Sequence, residues 1–286
     1  MNVLKRLRKD KLAILCITIL LFIVLLGIFA PVLSPNDPLQ VDVKNKFAAP
    51  SAEYPFGTDN LGRCSLSRLL FGIRTTLGYS LVTMLATVSI GTFVGLFAGF
   101  SGGRMDQAIM SLCNVLLSFP SEIMILAIVG ALGPSLINVV IASIVSKWAW
   151  YARMTRTMIL NYSEKNYVRF AKVSGCSGWH IMRRHLLRGA LSEIVVLATL
   201  DMGFVILSIS SLSFLGIGGQ SSMPEWGMML SEAKNIMLTH PTQMLPPGIA
   251  ILTVVAVFNY LGDSLRDAMD PKYVYKTKGD WRNESA

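Results

Sequence analysis

The chain has 286 residues, 52% hydrophobic and only 15% charged, with 26 Lys and Arg against 17 Asp and Glu for a net charge of +9. Soluble domains carry roughly 25% charged residues and disordered chains combine low hydrophobicity with high charge, so both classes give way to an integral membrane protein. Four widely separated cysteines, Cys16, Cys64, Cys113 and Cys176, form no CxxC pair, which excludes a disulfide scaffold and a cysteine-based zinc site.

Residues 1–11 form a basic leader with Lys5, Arg6, Arg8, Lys9 and Lys11. The uncharged run 12–33 follows; at about 1.5 Å per residue it reaches roughly 33 Å, enough for a hydrocarbon core of about 30 Å. Cleaved signal peptides have shorter apolar regions of about 7–15 residues, so 12–33 is read as an uncleaved first span. Residues 34–76, with Pro35, Pro38, Pro50 and Pro55, read as an ordered connector on the far side of the membrane. A five-helix transmembrane core is then expected over 77–265. Its spans are 77–103, 107–133 (one carboxylate, Glu122, and a Phe119-Pro120 break that predicts a kink), 134–150 with Lys147 near its end, 191–215 and 245–261. All six spans should be helices, because backbone groups in lipid must be satisfied within the segment.

In the second span Gly91, Gly95, Gly99 and Gly103 recur every four residues and place a side-chain-free stripe along one helix face, where a neighbouring helix packs closely. The segment 161–190 is strongly basic and divides at Gly175 and Gly178 into two helical stretches, 166–174 and 179–187. By charge alone it fits a patch held by anionic lipid as well as a docking surface for a cytoplasmic partner. Asp201 lies near the middle of the fifth span, where a lone carboxylate costs several kcal/mol. It therefore faces protein or a polar path, with Ser208 and Ser211 as companions, or is paired with another helix. Residues 216–244 form an outer loop and 266–286 a cytoplasmic tail.

With the N-terminus inside, twenty of the 26 basic residues fall on the cytoplasmic side, nine of them between 147 and 190. The net charge thus reads as the positive-inside rule, giving an N-in, C-in topology, and leaves no soluble basic module for nucleic acid. There is no phosphate-binding loop and no HExxH. His180, His185 and His240 lack metal-ligand spacing, so neither a metal site nor a catalytic residue is assigned. An ion-coupled transporter or channel working through Asp201, and an intramembrane enzyme, remain as readings of another class.

The segment Tyr167-Val168-Arg169-Phe170-Ala171-Lys172-Val173-Ser174-Gly175, continuing through Trp179-His180-Ile181 to His185-Leu186-Leu187, resembles the EAA loop of importer permeases in the ATP-binding cassette superfamily. Three further blocks resemble its dipeptide/oligopeptide/nickel branch. They are Phe56-Gly57-Thr58-Asp59-Asn60-Leu61-Gly62-Arg63; Ser213-Phe214-Leu215-Gly216-Ile217-Gly218 with Pro224-Glu225-Trp226-Gly227-Met228-Met229-Leu230; and Gly262-Asp263-Ser264-Leu265-Arg266-Asp267 with Asp270-Pro271. Three positions depart from the family pattern. Arg169-Phe170-Ala171 replaces Glu-Ala-Ala, Arg188 stands at a usual proline, and Cys64 at a usual aspartate.

The resemblance implies a type I importer permease: an all-α membrane protein of six transmembrane helices with a cytoplasmic coupling helix at about 173–179. It assigns ATPase coupling to Ala171, Val173, Ser174, Gly175, Cys176, Ser177, Gly178 and Trp179. The implied partners are a second homologous permease, one or two cytoplasmic ATPases that bind the ATP, an extracytoplasmic substrate-binding protein and membrane lipid, in the cell membrane of a prokaryote; the chain itself needs no cofactor. Trp148-Ala149-Trp150-Tyr151-Ala152-Arg153-Met154 and Val196-Leu197-Ala198-Thr199-Leu200-Asp201 look more like the nickel-type permeases. The expected cargo is nickel or another transition metal as a metallophore chelate, with di- or oligopeptides as the alternative.

Overall fold

A computed structural model describes residues 7–219 and 224–269. The tail 270–286, including Asp270-Pro271, lies outside the described residues, as do Met223 and the leader residues Lys5 and Arg6. Among the described residues the fold is all-helical; the one extended pairing is an isolated antiparallel bridge between Thr58 and Cys64. In chain order the main helices are α1 (Lys11–Ile28), α2 (Ser65–Ser101), α3 (Gly103–Leu117), α4 (Ser121–Leu132), α5 (Leu136–Ser163), α6 (Asn166–Val173), α7 (Gly178–Phe214), α8 (Trp226–Lys234) and α9 (Leu245–Met269), with short helical turns at Ala30–Leu33, Val43–Asn45 and Pro241–Met244.

Four of them, α1, α2, α7 and α9, are long and apolar enough to cross a membrane, five if the bent pair α3–α4 is one span. The remaining span expected from the sequence, 134–150, overlaps α5 from Leu136 on. This helix has 28 residues, ample length for a crossing, but it carries Lys147, Arg153 and Arg156 and is less apolar than the others.

Helix α1 stops short at Ile28, α9 runs past 261 to Met269, and three further boundaries differ from the sequence reading. Helix α2 begins at Ser65, so residues 65–76 of the expected connector are helical; its 37 residues extend about 55 Å and overshoot the hydrocarbon core. The stretch 179–187 is not a separate surface helix but runs on without a break, through a π-helical turn at Ile181–Leu186, into the long helix to Phe214. Helix α5 continues thirteen residues past 150, which puts Lys147 in mid-helix rather than at an end. In each case hydropathy marks where charge begins, while helical hydrogen bonding continues beyond it. The Phe119-Pro120 break is real: α3 and α4 meet at 83°, because proline offers no N–H to continue the ladder.

The bundle is held by α2 against α5. An ideal Cβ on Gly91 would lie 2.4 Å from Tyr151 Cβ, one on Gly95 2.3 Å from the Ala152 carbonyl oxygen, and one on Gly99 3.0 Å from Ile159 Cβ. Three of the four stripe glycines therefore pack against α5 of the same chain. Gly103 does not: it meets nothing within 4 Å and, with φ +55°, it opens α3 after the helix has turned at Gly102. Because the contacts advance in step along both helices, α2 and α5 run parallel. Tyr151, Ile206, Ile209, Trp226 and Val254 join α5, α7, α8 and α9 in the main core. A second core of Leu96, Ile159, Val168, Ala171, Ile181 and Leu186 closes the end of the bundle that carries α6.

Candidate functional site

At the base of the α6–α7 turn, Val168 and Ala171 bury the inner face of α6, leaving the outer face uncovered. Phe170 is 72% exposed, Val173 86% and Trp179 60%, an apolar patch on a basic background. Gly175 makes the turn: at φ +75° its N–H donates to the Lys172 carbonyl (3.1 Å), and Cys176 N–H to the Ala171 carbonyl (3.1 Å). These two bonds satisfy the last carbonyls of α6 in a closed C-terminal cap that favours glycine. Ser177 then caps α7 by accepting from His180 N–H at 3.3 Å. Gly178 lies against Phe100 at the end of α2, with 3.0 Å from an ideal Cβ to Cζ. The residues expected to form a coupling element, 171–179, thus form one compact turn at the end of the bundle, with Ser174, Gly175, Cys176 and Ser177 exposed.

Halfway along the bundle lies the second site. Lys147 on α5 reaches Asp201 on α7, its Nζ 3.3 Å from Oδ1 and 3.4 Å from Oδ2. Tyr151, one turn further along α5, donates its hydroxyl proton to Asp201 Oδ2 at 3.1 Å. Lys147 Nζ also stands 4.0 Å from the centroid of the Phe204 ring. These groups line a cleft of about 330 Å³ with Phe119, Ser121 and Trp150. Ser208 and Ser211 share the Asp201–Phe204 face of α7 at helical spacing, half-buried and exposed respectively, but are not among the cleft-lining residues. The sequence reading identified Asp201 as needing a partner and missed Lys147 as that partner, because it placed the lysine near the end of the 134–150 span rather than in mid-helix; the Lys147–Tyr151 spacing of four in an apolar helix was the available signal.

At the opposite end from α6, residues in and beside two of the resemblance blocks, 56–63 and 224–230, form a lock. Asp59 Oδ2 accepts from Arg63 Nε (2.6 Å) and Arg68 Nη1 (2.5 Å), and Glu232 Oε2 on α8 accepts from Arg63 Nη2 (2.7 Å) and Arg68 Nη1 (2.6 Å). This buried cluster ties the turn before α2 to α8. Glu225 caps α8 by accepting from Gly227 N–H (2.9 Å) and Met228 N–H (2.8 Å). Burial pushes its carboxyl above the ordinary value, against the pull of those two donors. Trp226 fills the space over Gly72 and donates its indole N–H to the Leu69 carbonyl at 3.0 Å. Sequence inspection marked this block only by resemblance.

Residues 91–275 match the family described as binding-protein-dependent transport system inner membrane component, and residues 2–50 match the N-terminal TM domain of oligopeptide transport permease C. The chain is 41% identical to the metal-staphylopine import system permease protein of Staphylococcus aureus over 97% of this chain and 96% of the relative. It is 38% identical to the dipeptide transport system permease protein of Alkalihalophilus pseudofirmus over 94% and 88%. Against the nickel transport system permease protein of Escherichia coli the identity is also 38%, over 84% and 87%.

Proposed function

Because the chain belongs to the family of binding-protein-dependent transport inner-membrane components, the permeases of ATP-binding cassette importers, we propose that it forms half of a pathway importing nickel or another transition metal as a metallophore chelate. The similarity along almost the full length to a metal-staphylopine permease carries the cargo reading. The comparable likeness to a dipeptide permease favours, as the second reading, a small peptide. Both cargoes are small and polar and require the same machinery.

Two cytoplasmic ATPase subunits supply the energy, each gripping a turn such as 171–179. The support is the exposed Phe170–Val173–Trp179 patch, whose burial against a partner would remove apolar area at about 25 cal/mol per Å². The turn is fused to α7 without a break and packed on the end of α2, so a push on it moves both helices as rigid bodies. The cleft at Lys147 and Asp201 opens beside exposed Phe119 and Phe204. Ionised groups cannot face lipid cheaply, which argues that a second permease covers this side, and an outer binding protein delivers the cargo.

Six spans with both termini inside fit the contacts. Parallel α2 and α5 require one return crossing between them, which the bent α3–α4 pair provides. Asp10, at the start of α1, accepts from Ser264 (2.7 Å) and Tyr260 (3.2 Å) near the end of α9, which supports a reading with the start of α1 and the end of α9 on one side. Those hydroxyl donors, with the N–H groups of α1, hold the Asp10 carboxyl below its ordinary value.

The coupling assignment is tested with Gly175→Trp. Strain at positive φ and the added bulk are expected to abolish ATPase co-purification and uptake while membrane insertion stays normal. Co-purification and uptake at the unsubstituted level would remove the assignment. Uptake by the isolated chain driven by an ion gradient, without ATP, would replace the importer with a secondary transporter.

A further inference from the structure

The Lys147–Asp201 pair does not have the geometry of a spent structural bridge. Its separations of 3.3 and 3.4 Å exceed the roughly 2.7–2.9 Å of a tight charge-assisted hydrogen bond. The lysine side chain is 15% exposed and the carboxylate 22%, and both border the cleft. An ammonium has three donors; among the described residues those of Lys147 meet only the one carboxylate and the Phe204 ring face. Asp201 is held from behind by Tyr151, whose hydroxyl also sits 3.5 Å from Met84 Sδ in the core. The carboxylate is thus fixed and the lysine is the movable member. At about 330 Å³ the cleft is at the small end of ligand pockets, and Phe119, Trp150 and Phe204 supply flat apolar walls.

We infer that Lys147 and Asp201 form a charge clamp for an amphoteric cargo, one that carries a carboxylate and an amine on a small frame. Such a molecule splits the pair: its carboxylate takes the Lys147 ammonium, and its positive end, the free ammonium of a peptide or the N–H groups polarised by the bound metal in a chelate, donates to the carboxylate that Tyr151 holds. One ion pair becomes two and no charge is left unpaired in a low-dielectric site, where an orphan charge is costly. A bare cation would leave Lys147 without an anion and meet its repulsion; a simple anion would do the same to Asp201. The clamp therefore selects amino-acid-derived molecules, chelates and short peptides alike, over hydrated metal ions. The inference rests on the importer reading and specifies the chemistry its pathway accepts.

The test uses the complete transporter, with partner permease, ATPases and binding protein, in proteoliposomes. Nickel–staphylopine, dialanine and hydrated nickel(II) are offered as labelled probes. ATP-dependent uptake of the chelate or the dipeptide by the unsubstituted complex identifies the source of the amphoteric cargo; uptake of neither removes the importer reading, and the clamp with it. Preferred uptake of hydrated nickel overturns the clamp alone.

With cargo established, the single substitutions Lys147→Met and Asp201→Asn are compared with the neutral pair Lys147→Met/Asp201→Asn, which leaves no orphan charge. A merely structural bridge predicts that the neutral pair recovers uptake to within twofold of the unsubstituted complex, and that result overturns the clamp. The expected result is that the neutral pair co-purifies with its partners yet takes up cargo at least tenfold more slowly. Failure of the neutral pair to co-purify assigns these residues to assembly and equally overturns the proposal.

Discussion

A buried carboxylate is defined by what reaches it. Glu232 meets two guanidinium groups, and Arg68 is only 2% exposed, so its charge depends on Asp59 and Glu232 for compensation. Removing one partner of such a cluster costs about 3–5 kcal/mol, since the surviving charges stay buried. Glu232→Ala is therefore expected to destabilise the purified protein by that amount, seen as a large fall in melting temperature. Glu193→Ala, which removes only an exposed acceptor for the Tyr162 hydroxyl, should stay within about 0.5 kcal/mol of the parent. An unchanged melting temperature for Glu232→Ala would show the cluster to be unimportant. Asp201 illustrates what was legible at this level. Its position in an apolar run announced that it needed a partner, but Lys147 is 54 positions away and only the packing of α5 on α7 brings them together. Cys64 is a second case: it stands at the N-cap of α2 without making a side-chain cap bond, a position where an aspartate side chain could accept from the first N–H groups of the helix.

Helices meet where their surfaces allow it. The period of four glycines was visible in the sequence and implied a close neighbour, but α5 supplied the identity of that neighbour and its parallel direction. It also dropped Gly103 from the stripe, because the chain turns at Gly102. Gly95→Val should force α2 and α5 apart, since even its Cβ would lie 2.3 Å from the Ala152 carbonyl oxygen and 2.8 Å from Thr155 Cβ. Overpacking of this kind costs about 1–3 kcal/mol, so less folded protein should be recovered in size-exclusion profiles. Gly78 on the same helix meets nothing within 4 Å, and Gly78→Ala should be neutral or stabilising by up to about 1 kcal/mol through helix propensity. Equal recovery of the two variants would contradict the packing. The break at Phe119-Pro120 was equally legible, because proline acts locally, whereas its angle of 83° depends on where α4 finds its contacts on α5.

Taken whole, the molecule presents one end for energy input, a charged cleft midway and a locked loop at the other end. Its cysteines provide a direct probe of this arrangement: Cys64 and Cys113 are buried, Cys16 is half-buried on α1, and Cys176 is exposed in the turn. A membrane-impermeant maleimide should label Cys176 rapidly in inside-out vesicles and slowly in right-side-out ones, and assembly with the ATPases should protect it. Fast labelling from the outside would reverse the topology, and labelling unchanged by the ATPases would move their docking site elsewhere. Hydropathy, the side preference of basic residues, glycine spacing and a proline break are local or additive along the chain, so helical class, membrane location and family were open to reading without coordinates. The pairing of Lys147 with Asp201, the lock of Asp59, Arg63, Arg68 and Glu232, the fusion of the turn with α7 and the loss of Gly103 from the stripe were decided only by tertiary structure. They depend on which helices lie side by side, and that is set by close packing between surfaces far apart in sequence rather than by any local preference.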